Sequence, residues 1–291
     1  MTSISLPNWS ASARALWKRR SSSAWMRPQM IFGYVVLAFW IVMVVGVQWI
    51  APYDPVKQVA TRLLEPSMEH WFGTDALGRD VFTRSLYGAR YSLPIAAIAI
   101  VVSVTIGSVL GAVAGYFGKW VDAVIMRIAD ITMAFPAILL AMAVAASLGP
   151  GLNNALVAIV IVWWPIYARL MRGQVLSIKQ REHVESAVAI GASGTRILFR
   201  HIMPQSVTPI MVNATMDLGQ IILLIASLSF LGLGALPPTP EWGAMITDGA
   251  TNFYQPWIAA APGLAMLTIV LAINFIGDGL RDALDVKATR R

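Results

Sequence analysis

The residues of this sequence that can do chemistry are few and widely spaced. The three histidines are His70, His183 and His201, and the absence of cysteine excludes disulfides, thiolate catalysis and cysteine metal sites. Asp75 and Asp80 are close enough in sequence to suggest a carboxylate pair or part of a metal site. No third ligand follows at a recognisable spacing, so the surrounding glycines and aromatic residues instead predict a tight turn held by side-chain hydrogen bonds.

The common catalytic and nucleotide-binding motifs are absent. The sequence has no His-Glu-x-x-His, no Gly-x-Ser-x-Gly and no Gly-x-x-x-x-Gly-Lys-Ser/Thr. Gly118 and Lys119 are followed by Trp120 and lack the earlier glycine of a phosphate loop. We therefore expect no catalytic, metal or cofactor site in this chain. If the protein moves a solute uphill, the energy must come from an ion gradient or from a partner protein.

The composition indicates a membrane protein. Hydrophobic residues make up 57% of the 291 positions and charged residues only 13%, whereas about 25% of the residues of a soluble protein are charged. The net charge of +7 can indicate nucleic-acid binding. In so apolar a chain it more often reflects membrane topology.

Six apolar segments predict an all-α integral membrane protein with six transmembrane helices. The first follows a basic lead at residues 1–29, and its 21 uncharged positions make ~30 Å of helix, enough to cross a bilayer core. A signal peptide would have a shorter apolar core, of about 7–15 residues. Pro136 interrupts the third segment. The predicted spans are residues 31–51, 91–114, 131–148, 155–167, 209–236 and 257–276.

The distribution of positive charge predicts the orientation. With the amino terminus inside, the segments 1–29, 115–130, 168–208 and 277–291 hold 5, 2, 6 and 4 of the 22 lysine and arginine residues. The other five lie in the 52–90 loop, together with five acidic residues. The positive-inside rule then places both termini and residues 182–204 in the cytoplasm.

Residues 182–204 form the most polar long segment in the second half of the chain. Helical spacing predicts two short helices joined at residues 191–194, the second ending at Pro204. Glu182 and Glu185 lie off the apolar face of the first helix. The segment is either a docking unit for a partner or a solvated connecting loop. The faces predicted to be apolar contain Val184, Ala187, Val188 and Gly191 in the first helix, and Ile197, Leu198, His201 and Ile202 in the second.

Two features inside the spans have alternative interpretations. Gly107, Gly111 and Gly115 repeat every four residues, a pattern that lets another helix approach closely in a membrane, although chance in a glycine-rich span is the alternative. Asp217 is an ionisable residue within the fifth span. It faces protein or water at membrane depth, or it reaches the interface from about two turns inside the span.

The 182–204 segment resembles the coupling motif of binding-protein-dependent ABC importer permeases. That motif reads Glu-Ala-Ala, three residues, Gly, nine residues, Ile-x-Leu-Pro. It corresponds here to Glu185-Ser186-Ala187, Gly191 and Pro204, with the Gly-to-Pro spacing intact. Ser186, His201 and Met203 are departures from it.

Four further motifs narrow the resemblance to the second permease subunit of the peptide/nickel importers. Together they extend over about residues 30–285. Ile225 stands where many relatives have an intramembrane glutamate, so a role of that glutamate does not transfer. The motifs are Phe72-Gly73-Thr74-Asp75 with Gly78-Arg79-Asp80, Ala114-Gly115-Tyr116-Phe117-Gly118, residues 228–234 with 237–243, and residues 277–285.

The resemblance implies a type I ABC importer permease fold with a cytoplasmic coupling helix, in a bacterial inner membrane. The permease domain would comprise residues 30–285, after the 1–29 lead and before a 286–291 tail. The implied partners are a homologous second permease, two ATPase subunits that hold ATP and Mg²⁺, an extracytoplasmic substrate-binding protein and the lipid bilayer; no nucleic acid is expected.

The resemblance also assigns roles to residues. Those implied to couple to an ATPase are Glu182, Val184, Glu185, Ser186, Ala187, Gly191, Ala192, Ser193 and Pro204. The loops 52–90 and 235–256 are implied to form the docking surface for the binding protein. The residues of these loops that the motifs assign to it are Phe72, Gly73, Thr74, Asp75, Gly78, Arg79, Asp80, Glu241 and Trp242. The cytoplasmic tail motif includes Gly277, Asp278, Arg281 and Asp282.

The expected substrates are di- and oligopeptides. Nickel chelates, glutathione, opines and oligosaccharides are the alternatives that the resemblance leaves open. Two other functions compete: an ion-coupled secondary carrier, with Asp217 as its candidate carboxylate, and a membrane-embedded enzyme. The lack of a clustered catalytic set argues against the enzyme.

Overall fold

The computed structural model describes the backbone of residues 28–288 and the side chains of residues 28–283. This part of the chain is helical, and its one β-pairing is an isolated bridge between Thr74 and Asp80. In chain order the helices are α1 (Pro28–Ile50), α2 (Val81–Phe117), α3 (Lys119–Met133), α4 (Ala137–Leu148), α5 (Leu152–Lys179), α6 (Glu182–Ala189), α7 (Gly194–Ile197), α8 (Met203–Phe230), α9 (Trp242–Thr251) and α10 (Trp257–Ala288). A short π-helix, Leu198–Ile202, joins α7 to α8.

Five segments are long and apolar enough to cross a membrane: α1, α2, α5, α10 and the continuous run Gly194–Phe230. Helices α3 and α4 meet the same test only together, and they are bent by 93°. The break ends at Pro136, which directly precedes α4 and disfavours a helical residue before it. The described residues thus contain five segments that could each cross a membrane, or six if the bent pair counts as one crossing.

The helices extend beyond the apolar segments from which spans were predicted. α2 begins at Val81, ten residues before the second predicted span, and α5 continues to Lys179. Residues 119–130, predicted as part of a loop, and the first three residues of the predicted third span form α3. Helices can continue past the hydrocarbon core because their polar ends lie at the interface or in water, where hydropathy gives no signal.

The expectation that Pro204 ends a helix is wrong. The chain passes through the π-helix directly into α8, and Pro204 lies in its first turn. Proline is tolerated there because the backbone N–H groups of a first turn have no intrahelical acceptor. The second short helix and the fifth span are therefore one continuous helical run.

Helix α5 lies in the centre of the bundle, against α2, α3, α4 and α8. The glycine repeat of α2 produces its closest contact. A Cβ atom at Gly107 would lie 2.3 Å from the carbonyl oxygen of Trp164, and one at Gly111 would lie 2.1 Å from that of Ala168. At Gly115 the nearest atom, Val175 Cβ, would be 3.0 Å away. The predicted close helix approach is present, with α5 as the neighbour.

Candidate coupling site

The 182–204 segment contains a distinct short helix, α6, with one buried and one exposed face. Val184 and Ala187 are buried against the bundle, whereas Glu182, Glu185 and Ser186 are exposed. Both glutamates lie in the first turn, where the helix dipole favours negative charge. The structure therefore places the acidic residues of the predicted coupling motif on an accessible surface.

Apolar side chains lie beside these acids and are open to solvent. Ile190 is 85% exposed, and Val188 and Phe199 are also exposed. Val188 was predicted on the apolar face with Val184, but only Val184 and Ala187 of that face are buried. Three large apolar side chains exposed on one short polar segment favour contact with a partner protein or with lipid over contact with water.

The turn after α6 depends on a glycine. Gly191 has φ +81°, a conformation that other residues rarely adopt. Its N–H donates to the Val188 carbonyl at 2.9 Å, and nothing lies within 4 Å of the position that a Cβ would take. Gly191 is therefore required for its backbone angle, with open space around it. Ala192 follows half-buried, and exposed Ser193 precedes α7 in extended conformation.

Gln205 connects α6 to the start of α8. Its Oε1 accepts a hydrogen bond from Arg181 Nη1 at 3.0 Å, and its Nε2 donates to the carbonyl of His201 at 2.8 Å. The same nitrogen lies 2.8 Å from His183 Nε2. Gln205 thus joins both ends of the 182–204 segment, and we call this cluster the Gln205 clamp. Sequence reasoning missed it.

Polar contacts also tie the neighbouring helices together. Arg172 of α5 makes a bidentate ion pair with Asp122 of α3, with N–O distances of 2.5 and 2.6 Å. Lys179 donates to the Tyr116 carbonyl at 2.9 Å, and the ring of Tyr116 packs against Gly194, where a Cβ would lie 3.0 Å from its hydroxyl oxygen. The ends of α2 and α5 therefore meet the start of α7.

The loop between α1 and α2 is organised around Asp75. Arg79 Nε contacts its carboxylate at 2.6 Å, and Arg84 Nε at 3.4 Å. Asp80 caps α2 by accepting from Thr83 N at 2.7 Å. These contacts confirm the predicted turn fixed by side-chain hydrogen bonds. Within the described residues, no group of three or more histidine or acidic side chains could hold a metal ion.

Asp248 of α9 extends this ion-pair network. Arg79 Nη2 lies 3.6 Å from its carboxylate. Burial raises the pKa of Asp248, and the nearby Arg84 and Arg79 cations oppose that increase. The charges join the α1–α2 loop to the segment before α10. The indole of Trp257 adds a further link, since it donates to the Thr74 carbonyl at 3.3 Å.

The prediction that Glu241 and Trp242 contact a docking protein needs correction, because both are 0% exposed. The carboxylate of Glu241 accepts from Ala244 N, which caps α9, and from Ser92 Oγ, each at 3.0 Å. Trp242 donates to the carbonyl of Ser85 at 2.8 Å. The same correction applies to the other buried residues assigned to that surface, Gly73, Thr74, Asp75, Gly78, Arg79 and Asp80.

The predicted tail motif is part of α10. Gly279 packs on α1, where a Cβ would lie 2.1 Å from Met30 Sδ, and Gly277 packs on α8 beside Met216. Asp278 and Arg281 are exposed, and Asp282 is partly buried. The glycines therefore serve helix packing, and the exposed charges lie on the outside of the same helix.

Asp217 lies in the middle of α8, fourteen residues after Met203 and thirteen before Phe230. The hydroxyl of Tyr167 in α5 donates to its Oδ2 at 2.6 Å. Because α8 begins six residues before the predicted span, Asp217 lies about four turns from the start of its helix rather than two.

Comparisons with known proteins agree with this architecture. Residues 107–290 match the family model described as "Binding-protein-dependent transport system inner membrane component". The chain is 52% identical over 230 residues to the dipeptide transport system permease protein DppC of Alkalihalophilus pseudofirmus, covering 78% of this chain and 75% of that protein. It is 46% identical over 279 residues to the glutathione transport system permease protein GsiD of Pectobacterium atrosepticum, covering 94% and 91%.

A solved structure shows the same fold. The inward-facing MetNI methionine ABC transporter aligns with a TM-score of 0.55 and 21% identity, covering 68% of this chain and 94% of the matched chain. The fold class predicted from the motifs, that of an ABC importer permease, is confirmed. The chain belongs to the family of binding-protein-dependent transport system inner membrane components, in the peptide/nickel importer branch that its motifs indicated.

Proposed function

We propose that this chain is a permease subunit of an ATP-driven importer of di- and oligopeptides. It forms half of the translocation path with a homologous permease. Two ATPase subunits bind ATP and Mg²⁺ and hydrolyse the ATP, and a soluble binding protein delivers the substrate. The family match supports the permease role, and the similarity to dipeptide and glutathione permeases supports a peptide substrate. This chain contributes no catalytic residue and no cofactor site.

The observation that carries the proposal is the surface of α6. Its acids and the neighbouring Val188 and Ile190 are exposed, while Val184 and Ala187 hold it to the bundle. A partner that binds this surface moves a helix tied to α8 through the Gln205 clamp. Closure of the ATPases thus becomes a rigid-body displacement of a membrane helix.

The proposed orientation places both termini and α6 in the cytoplasm and the α1–α2 loop outside, in a bacterial inner membrane. The support is the positive-inside distribution of lysine and arginine. This orientation puts α6 on the side where ATP is available. It also puts the ion-pair network around Asp75 on the side where the binding protein docks.

The binding protein docks on exposed aromatic residues that the buried network supports. Trp71 and Phe72 of the α1–α2 loop are exposed, and so are Phe253 and Tyr254 before α10. The bond from Trp257 to the Thr74 carbonyl holds the two segments together. Aromatic residues are enriched in protein interfaces. Of the docking residues assigned from the sequence, only Phe72 keeps direct contact in this proposal.

The substrate is the part of the proposal with a specific alternative. Glutathione is supported by the GsiD similarity, and nickel chelates, opines and oligosaccharides would use the same permease role. Mass spectrometry of the ligand that co-purifies with the cognate binding protein distinguishes these classes. A di- or oligopeptide supports the proposal; a nickel chelate, opine or sugar contradicts its substrate class.

Reconstitution tests the transport role itself. The complete complex in proteoliposomes should take up radiolabelled dialanine or glutathione only when both the binding protein and ATP are supplied, with ATP on the side of α6. The matched control is this chain alone with an imposed ion gradient. Uptake by the chain alone would establish an ion-coupled carrier and contradict the proposal.

A further inference from the structure

Asp217 is an isolated charge in an apolar helix. It is the only charged residue from Met203 to Phe230, and it lies at the middle of that helix. Ionisable side chains at such positions face protein or water, because lipid does not solvate them. The residue is only partly buried, so part of it lies on the surface of this chain.

Tyr167 holds one side of this carboxylate. The tyrosine is 0% exposed, and its hydroxyl donates to Asp217 Oδ2 at 2.6 Å. Gly107 makes room behind it, since a Cβ at that position would lie 2.6 Å from Tyr167 Cβ. No other hydrogen bond to Asp217 is present within the described part of the chain. Its Oδ1 therefore remains free to bind a ligand.

Other polar side chains lie on the same face of α8. Asn213 is four residues before Asp217 and Gln220 three residues after it, and both are exposed. These spacings place the three residues next to one another on a helix. Asn213 Nδ2 donates to the Pro209 carbonyl at 2.9 Å, and lipid cannot satisfy the remaining polar groups of this face. The face therefore favours contact with water or with a partner permease over contact with lipid.

We propose that Asp217 is a cation-binding position in the translocation path, where it receives the ammonium group of the transported peptide, with Tyr167 as its positioning residue. This inference rests on the proposed function. A peptide with a free amino end and glutathione both carry an ammonium group, whereas a neutral oligosaccharide does not. The free Oδ1 can accept a charge-assisted hydrogen bond from that group, and Asn213 and Gln220 can contact its peptide bonds.

Two substitutions separate this role from a purely structural tie between α5 and α8. Asp217→Asn keeps an acceptor for the Tyr167 hydroxyl but removes the charge, and Tyr167→Phe removes the donor but keeps the charge. In the reconstituted complex we expect Asp217→Asn to lower dialanine or glutathione uptake about tenfold or more, as for loss of one charge-assisted bond. Tyr167→Phe should lower it less. If the two residues only connect α5 to α8, Tyr167→Phe should instead lower uptake more than Asp217→Asn.

Cysteine substitution tests accessibility and charge. The chain has no native cysteine, so Asp217→Cys introduces a single thiol in this subunit. An anionic sulfonatoethyl methanethiosulfonate should react with it and restore part of the uptake, whereas a cationic trimethylammonioethyl reagent should react without restoring it. Ile41→Cys, on the exposed apolar surface of α1, is the matched control and should not react.

The outcomes distinguish this inference from the proposed function. If the wild-type complex takes up neither probe, the proposed function fails. If it transports and Asp217→Asn transports equally well, the inference about Asp217 fails alone. Equal restoration by the anionic and cationic reagents, or no reaction at position 217, also contradicts the inference even if Asp217→Asn misfolds.

Discussion

Replacing Gln205 with alanine should uncouple ATP hydrolysis from uptake without removing the protein from the membrane. The side chain connects Arg181 and His183, at the beginning of the 182–204 segment, to the His201 carbonyl near its end. Alanine keeps the helical backbone of α8 and deletes only these contacts. Helix α6 then loses its polar attachment to the membrane helix that it moves.

The structure sets the size of this effect. Gln205 takes part in three contacts, and a net hydrogen bond contributes about 0.5–1.5 kcal/mol. Two of the three are exposed to solvent and belong near the lower end, so the loss is about 1–3 kcal/mol. Helix α6 has eight residues and is too short to hold its position alone. A loss of this size weakens its docking at least about fivefold.

The measurement is peptide uptake per ATP hydrolysed in proteoliposomes containing the whole complex. Gln205→Ala should lower this ratio at least about fivefold while ATP hydrolysis continues. Thr208→Ala is the matched control, because Thr208 is exposed on the same helix and should leave the ratio unchanged. A Gln205→Ala complex with the wild-type ratio would refute the role of the clamp.

Three further changes test other features of the structure. Gly191→Ala and Gly191→Trp should both reduce uptake per ATP, because φ +81° costs an L-residue about 1–2 kcal/mol; uptake and ATPase assays measure this. Gly111→Leu should lower the detergent unfolding temperature by overpacking against Ala168, a cost of at least about 1–3 kcal/mol. Asp75→Ala should destabilise the α1–α2 loop by up to about 3–5 kcal/mol, since Arg84 loses its carboxylate partner and Arg79 keeps only the 3.6 Å contact with Asp248; limited proteolysis of that loop detects it.

Each of these changes has a control and a contradicting result. Gly173 has open space around it and no positive φ, so Gly173→Ala should retain coupling where Gly191→Ala does not. Gly173→Leu is the control for Gly111→Leu and should unfold near the wild-type temperature. If Gly111→Leu unfolds at the same temperature as Gly173→Leu, the close packing of α2 on α5 is contradicted. For the loop, Asp54→Ala removes an exposed carboxylate, and equal protease sensitivity of the two variants would contradict the role of Asp75.

Local pattern was enough to predict much of the coupling site. Helical spacing identified α6 and the burial of Val184 and Ala187, and the glycine repeat of α2 predicted a close neighbour. Each of these features is determined within two or three turns of one helix. The spacing from Gly191 to Pro204 then identified the family.

Long-range contacts explain what the sequence did not reveal. The residues around Asp75 look like an accessible polar loop, yet they are buried because Arg84 and the α9 segment close over them. The partners of Gln205 lie 4, 22 and 24 residues away, and no periodic pattern relates them. The length of α8 was missed because proline and polar residues at its start conceal a continuous helix.

Cross-linking tests the central claim, that the exposed surface of α6 contacts an ATPase, most directly. Ile190→Cys places a single thiol on that surface. Val184→Cys, buried in α6, and Met68→Cys, exposed in the α1–α2 loop, are the two controls. We expect Ile190→Cys to form a cross-link to the ATPase subunit at a rate that changes with ATP, and the other two not to do so. Failure of Ile190→Cys to cross-link in an active complex, or equal cross-linking from Met68→Cys, would contradict the claim.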